Sequence, residues 1–305
     1  MHADLGNLGW TEEQWDRICS TVTEEAQKAR VAAQILPVVG PEDPSTVAVP
    51  NFTLTAVRNP AQPPPRRLRV DSDPTLYLTT IAVHVPLRSH EVADPDLTAA
   101  MGMFRRAASY IARIEDALVF NGRSAPGTPP AQTFGIGGNP PPGIPEVYRI
   151  TGDGDVPGVL QPVVPGPDGR LPIPLPPQGT AGQRIVKGIV DAIGQLEERA
   201  QLGPYACALS QQLFNDVCDP SNALVLPRDR VLPFLQGPLV RSSTIRDGWG
   251  AVIALSGNPV EIVVASDISV RFLQTTLEPR FVFRVSERVA LRIREDSAIA
   301  VLRSR

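Results

Sequence analysis

Residues that usually carry chemistry are scarce in this chain, which has three histidines and three cysteines among 305 residues. His2, His84 and His90 show no HxH or HExxH spacing and have no cysteine beside them, so neither zinc nor haem is offered a ligand set. Cys19, Cys207 and Cys218 form no CxxC pair and are too dispersed for a disulfide framework; reduced, buried thiols are the expectation. There is no GxSxG nucleophile elbow. The glycines of FGIGGNP at 134–140 suggest a phosphate loop, but the later glycine, the Lys-Ser/Thr pair and the following helix are missing, and the stretch reads as a proline-rich turn. Long apolar runs are missing too, and none approaches the roughly 20 residues that span a bilayer. Lys and Arg number 29 against 32 Asp and Glu and are scattered along the chain, which argues against nucleic acid and anionic membranes as partners. No metal, no cofactor and no catalytic group is therefore assigned.

Proline is what the chain has in excess, 33 residues, about twice ordinary usage. Many of them fall in 124–178 among glycines, where no long helix can persist; this segment reads as an ordered but irregular surface excursion or exposed loop, against a disordered linker, with GPDGR a tight turn that would make a hairpin of VLQPVV and LPIPLP. The opening MHADLGNLGWTEEQW lacks a basic n-region and an apolar h-region, so a cytoplasmic protein is expected. The length allows one large domain or two ordinary ones.

The clearest element is a helix over about 11–35. Thr11 with Gln14 three residues on forms a capping box, Glu12 and Glu13 suit the first turn, and Trp15, Ile18, Val22, Ala26 and Ala29 recur at helical spacing before Pro37. Trp10 and Trp15 read as core anchors. Residues 47–88 read as two strands, STVAVPNFTLTAV and TLYLTTIAVHVPL, joined by a charged, proline-rich tip, with His84 in the second strand and His90 in the loop after it. Such a ribbon needs a partner surface, because two strands alone are marginal in water. A long helix over about 96–120 follows Asp94-Pro95-Asp96 and carries Leu97, Met101, Phe104, Ala108, Ile111, Ile114 and Leu118. A later helix places Ile185, Ile189, Ile193 and Leu196 on one side, and short strands with one short helix near 210–217 complete an α+β chain.

Within IARIEDALVFNG, at 111–122, Glu115 and Asp116 invite an enzymatic reading. Adjacent helical side chains point about 100° apart and do not share one site. One ion-paired carboxylate and one capping or buried acceptor is the reading they favour.

Four stretches in order resemble the encapsulin family, nanocompartment shell proteins that share the tailed-phage major capsid fold. They are TEEQWDRI with ILPVVGP, the acidic pair and Phe-x-Gly of IARIEDALVFNG, LGPYACALS, and the ending SDISVRFL to SAIAVL. The resemblance implies an N-terminal helix and entry to a P-domain over 1–46, an E-loop arm over 47–88, a P-domain spine helix over 89–123, a proline-rich insertion over 124–178 that departs from the family, an A-domain over 179–257 and P-domain return strands over 258–305. It also implies self-assembly into an icosahedral shell. Such a shell holds a cargo enzyme, ferritin-like or of the dye-decolorizing-peroxidase type, through a C-terminal targeting peptide. Carried onto this chain, the cargo groove falls at Val22, Ala26, Arg30, Ala33, Ile268 and Val270, with Arg30 placed to meet a terminal carboxylate. Packing of the helix on its own subunit is the competing role for each of these positions. Asp219, Ser221 and Asn222 fall where a pore loop would lie, against an ordinary polar loop. Some family members bind flavin through aromatics after the E-loop, and LRSHEVADPD has none. A prophage capsid protein packaging DNA and an enzyme of bacteriocin or protease type are the alternatives.

Overall fold

The computed structural model describes residues 9–57, 67–71, 75–123, 143–145, 147–152, 157–161, 169–220, 225–278 and 280–304. No helix among them is long and apolar enough to cross a membrane. Two five-stranded sheets, each backed by helices, organise these residues.

The first sheet has the order β1 (Val38–Val39), β12 (Val260–Thr275), β13 (Arg280–Ile293), β6 (Thr79–Arg88), β7 (Tyr148–Thr151). Only β1 and β12 run parallel. Helices α1 (Glu12–Ala29) and α3 (Thr98–Asn121) share one core with this sheet, joined by the short helix α2 (Ser89–Val92), which holds His90. Strand alternation sends Phe283, Val285, Val289 and Leu291 of β13 inward against Phe104, Ile111 and Phe120 of α3. Trp10 stacks on Phe283 with ring centres 5.0 Å apart and donates its indole N–H to the Val92 carbonyl at 2.8 Å, as expected of a core anchor.

The second sheet has the order β10 (Gln236–Ser242), β9 (Tyr205–Ser210), β11 (Trp249–Ala254), β14 (Ile299–Arg303), β8 (Leu171–Pro174). Helices α4 (Ala181–Glu198), α5 (Gln211–Cys218) and α6 (Pro227–Leu235) contribute to its core. The α4 stripe of Ile185, Ile189, Ile193 and Leu196 packs on Cys207, Leu209, Val252 and Leu302. From the other face of the same strands, Ala206, Ala208, Ala251, Ile253, Ile299 and Val301 enter the first core. That double burial explains why YACALS reads as an unbroken run rather than alternating.

The arm consists of two small antiparallel pairs outside both large sheets. In it β2 (Ala48–Pro50) pairs with β5 (Thr75–Tyr77), and β3 (Thr53–Val57) pairs with β4 (Arg67–Asp71). The ribbon is thus present, and β4 occupies part of what reads in sequence as its tip.

Several expectations change here. Helix α1 has the Thr11–Gln14 capping box but stops at Ala29, and residues 32–34 form a separate 3₁₀ turn. At the start of α3 the capping acid is Asp94, whose carboxylate accepts from Asp96 N at 3.1 Å and Thr98 N at 2.9 Å. Helix α6 has no counterpart among the expected elements, and two of its nine residues are prolines. Pro227 takes the first turn, where its missing N–H costs nothing, and Pro233 sits in the last. Strand β14 leaves the return strands and pairs with β11 and β8 in the second sheet.

The proline-rich segment is more than a surface excursion. It supplies β7 and β8, and β8 pairs in parallel with β14 rather than forming a hairpin. Val159 and Leu160, both fully buried, donate their N–H groups to the Val119 and Phe120 carbonyls at 2.8 Å, satisfying acceptors that a helix end leaves without partners. Gly158 makes this approach possible, because a Cβ there would collide with the backbone of Asn121 and Gly122. Buried Arg170 holds the crossing in place through the Gly158, Val159 and Gln161 carbonyls and an ion pair to Asp296 at 2.8 Å. The FGIGGNP turn and GPDGR up to Asp168 lie outside the described residues.

Candidate functional site

Arg30 caps the C-terminal end of α1 in an extended conformation that ends the helix. Its Nε donates to Glu115 of α3 at 2.7 Å, and its Nη2 donates to Glu287 of β13 at 2.5 Å and to Asp267 of β12 at 2.8 Å. One guanidinium therefore ties the first helix to α3 and to both long strands. Its own side chain is 12% exposed, while Glu115 and Glu287 are almost wholly buried and Asp267 is half exposed.

Three carboxylates about one cation leave an excess of negative charge in a dry place. Burial, then the neighbouring Glu115 carboxylate, pushes Glu287 well above the usual carboxylate range, against the pull of Arg30. Burial also raises Glu115, opposed by Arg30. Arg30 is held more firmly protonated than an ordinary arginine, because Glu287, Glu115 and Asp267 together outweigh the effect of its burial. Glu287 Oε2 is buried without a hydrogen-bond partner among the described residues, which adds to the cost of charging this carboxyl. A carboxyl raised on folding adds stability at low pH that is lost as pH rises from its ordinary value through its raised one. Glu287→Gln is accordingly expected to flatten the fall in stability as pH rises above the usual carboxylate range and to leave the subunit no less stable at the alkaline end. Denaturant unfolding across that range checks this, and an unchanged pH slope would contradict it.

Asp116 points away from this cluster. Its carboxylate accepts from Val31 N at 3.0 Å and Ala32 N at 2.7 Å, capping the 3₁₀ turn from a distant helix. Burial pushes its pKa up to about 8 against these amides. The acidic pair thus divides into one ion-paired carboxylate and one buried acceptor, and the 100° between adjacent side chains is what sends them to different partners.

The positions expected to form a peptide groove are correspondingly revised. Val22 and Ala26 are fully covered by their own subunit and offer nothing to a ligand. Arg30 is saturated by three carboxylates, so a fourth, from a peptide terminus, would meet no unpaired charge. Ile268 and Val270 are buried at 6% exposure, and Ala33 is half-buried. Beside them the partly exposed Trp15 and Phe272 complete an apolar seam between α1 and β12, packed on Phe283. Asp219 is exposed at the C-cap of α5, while Ser221 and Asn222 lie outside the described residues.

Glu287 and Asp267 were not singled out from the sequence. For Glu287 a signal existed: in FVFRVSERVALRI the inward register Phe283, Val285, Glu287, Val289, Leu291 carries one charge, which demands a buried partner. Asp267 sits where the β12 ladder shifts register, and no pattern marks it.

The comparisons with known proteins agree with this architecture. A family model described as encapsulating protein for peroxidase matches residues 7–130 and 155–290. The type 1 encapsulin shell protein of Myxococcus xanthus is 24% identical over 306 residues, covering 95% of this chain and 92% of that protein. The virus-like particle from Pyrococcus furiosus superposes with a TM-score of 0.66 at 14% identity, over 95% of this chain and 99% of that one. The capsid of the Myoviridae phage XM1 gives 0.58 at 13% identity, over 88% and 90%. At these identities the structural likeness shows the capsid fold.

Proposed function

The chain belongs to the family of encapsulating proteins, whose copies assemble into a nanocompartment around a cargo such as peroxidase, and from that premise we propose that the α1–β12 seam receives a short peptide from the C-terminus of a cargo enzyme. The arm carries the shell reading: β2–β5 packs on β12 and β13 through Val49 and Leu76, whereas β3–β4 is a two-stranded ribbon of its own, which needs a neighbouring subunit for stability. On this reading 47–88 is the E-loop, α3 the spine of a P-domain built on the first sheet, and the second sheet with α4, α5 and α6 the A-domain, into which 169–178 and the final strand β14 are drawn. The protein works in the cytoplasm, as a container without chemistry of its own and without a cofactor. The cargo, ferritin-like or a dye-decolorizing peroxidase, is the enzyme. Asp219, exposed at the C-cap of α5, lines a pore for its small substrates.

The peptide lies along Ala33, Ile268 and Val270, extended from Trp15 and Phe272. It is held by a few apolar side chains, and many identical seams in one lumen favour an oligomeric cargo through avidity. Negative-stain microscopy of the purified protein tests assembly; closed shells are expected, and monomers or small oligomers alone would refute it. Ala33→Glu, at the half-buried rim, is expected to leave shells intact while co-purifying cargo falls to background. Cargo retained at the unaltered level would remove the seam from consideration. Catalytic activity in shells prepared without cargo would contradict the container reading.

A further inference from the structure

The face of the first sheet turned away from α1 and α3 is arginine-rich in a way no feature of the subunit explains. In the strand ladder Arg271 of β12 stands directly opposite Arg284 of β13, Arg284 opposite His84 of β6, and Arg280 opposite Arg88. Arg149 of β7 stands opposite Ala82, one step along from His84 on the same face. His84, Arg88, Arg149, Arg271 and Arg280 are exposed and Arg284 half-exposed. Like charges directly across a ladder repel. His84 adapts by staying neutral and accepting a hydrogen bond from Arg284 Nε at 3.3 Å, its pKa lowered by partial burial and by Arg284 and Arg149. Among the described residues, the carboxylate on this face of the strands is Glu261, buried at the far end and already held by Arg292 and Arg294, and the carboxylate paired with the strip is Glu278 at the hairpin turn, 3.4 Å from Arg280. The strip holds five arginines, leaving 24 of the chain's 29 Lys and Arg to stand against 32 Asp and Glu elsewhere.

We infer that this strip is an interface between copies of the chain, in which a carboxylate-bearing segment of a second copy sits across Arg271, Arg284 and Arg149. The inference rests on the shell reading and adds where, and by what chemistry, one subunit grips the next. Charge complementarity identifies the occupant: Arg271, Arg284 and Arg149 face no carboxylate of their own subunit on a chain whose other residues carry 32 Asp and Glu against 24 Lys and Arg, so a second copy supplies the counter-charge and relieves the Arg271–Arg284 repulsion. A contact between unlike patches is heterologous, the kind that propagates around a closed shell.

The test combines a neutralising variant with a cross-link. Arg271→Gln/Arg284→Gln is expected to melt no lower than the unaltered protein as a dissociated subunit, because it removes repulsion. It should nevertheless give markedly fewer shells by sedimentation and weaken the salt dependence of assembly. Arg271→Lys, treated with a carbodiimide in shells assembled from mixed light- and heavy-isotope subunits, is expected to yield Lys–carboxylate cross-links between copies. Normal shell yield from the double Gln variant, or cross-links confined to single copies, overturns the proposal while leaving the shell reading intact. Nucleic-acid absorbance that accompanies the unaltered shells and vanishes from the double variant, without inter-copy cross-links, overturns it in favour of a polyanion. Absence of shells from the unaltered protein removes the shell reading itself, and this proposal with it.

Discussion

Arg30→Ala is expected to cost the subunit about 3–5 kcal/mol near pH 8 and to abolish shell formation there. The side chain is the cation through which Glu115, Glu287 and Asp267 are jointly compensated, and the first two lie where water cannot reach them. Removing it leaves buried negative charge with no counter-ion, a larger penalty than losing an exposed ion pair, which is worth about 1 kcal/mol or less. The defect should shrink toward about pH 5, since Glu287 and Glu115 already have raised pKa values and take up protons more readily once the cation is gone. Arg30→Lys should rescue only in part, because an ammonium does not present the separate Nε and Nη2 donors that Arg30 aims at different carboxylates. Denaturant unfolding at both pH values, with microscopy of the same samples, measures this. Full stability of Arg30→Ala at pH 8 would show that the cluster does not bind the first helix to the core.

Phe120→Ala is expected to lower stability by roughly 3–5 kcal/mol, with no recovery at any pH. Phe120 is fully buried in the first core, and its carbonyl accepts the N–H of Leu160 at 2.8 Å. Collapse to fill the cavity is restricted on that side, where Gly158 already presses on the backbone of Asn121 and Gly122. The denaturant midpoint should therefore move while the slope stays constant, the signature of lost packing in an unchanged fold. Phe120→Leu, which keeps much of the volume, should lose less. The contrast with Arg30 is diagnostic: one defect follows proton uptake and the other does not.

Much of the fold was legible locally. The capping box of α1, the apolar stripe of α4 and the ribbon of the arm follow from spacing alone, because helix and strand periods are properties of short windows. The acidic pair was also legible in part, since the angle between neighbouring helical side chains excluded a shared site. Its partners were not. Arg30 stands 85 residues from Glu115 and 257 from Glu287, and no local pattern connects them. For the same reason Val22, Ala26 and Arg30 passed as groove residues. A helical stripe shows that a face is apolar, while only the tertiary packing shows which neighbour already covers it.

By itself, then, the sequence determined the α+β class, the main helices, the ribbon of the arm, and an order of motifs sufficient for the shell family. The tertiary structure decided that residues 157–161 cap the end of α3, that β14 crosses into the second sheet, and that Arg30 is spent inside the subunit. It also placed Arg271, Arg284 and His84, from three separated strands, in one row. The division has a physical cause: periodicity and capping act over a few residues and are written in the chain, whereas burial, desolvation and charge pairing depend on which distant segments meet.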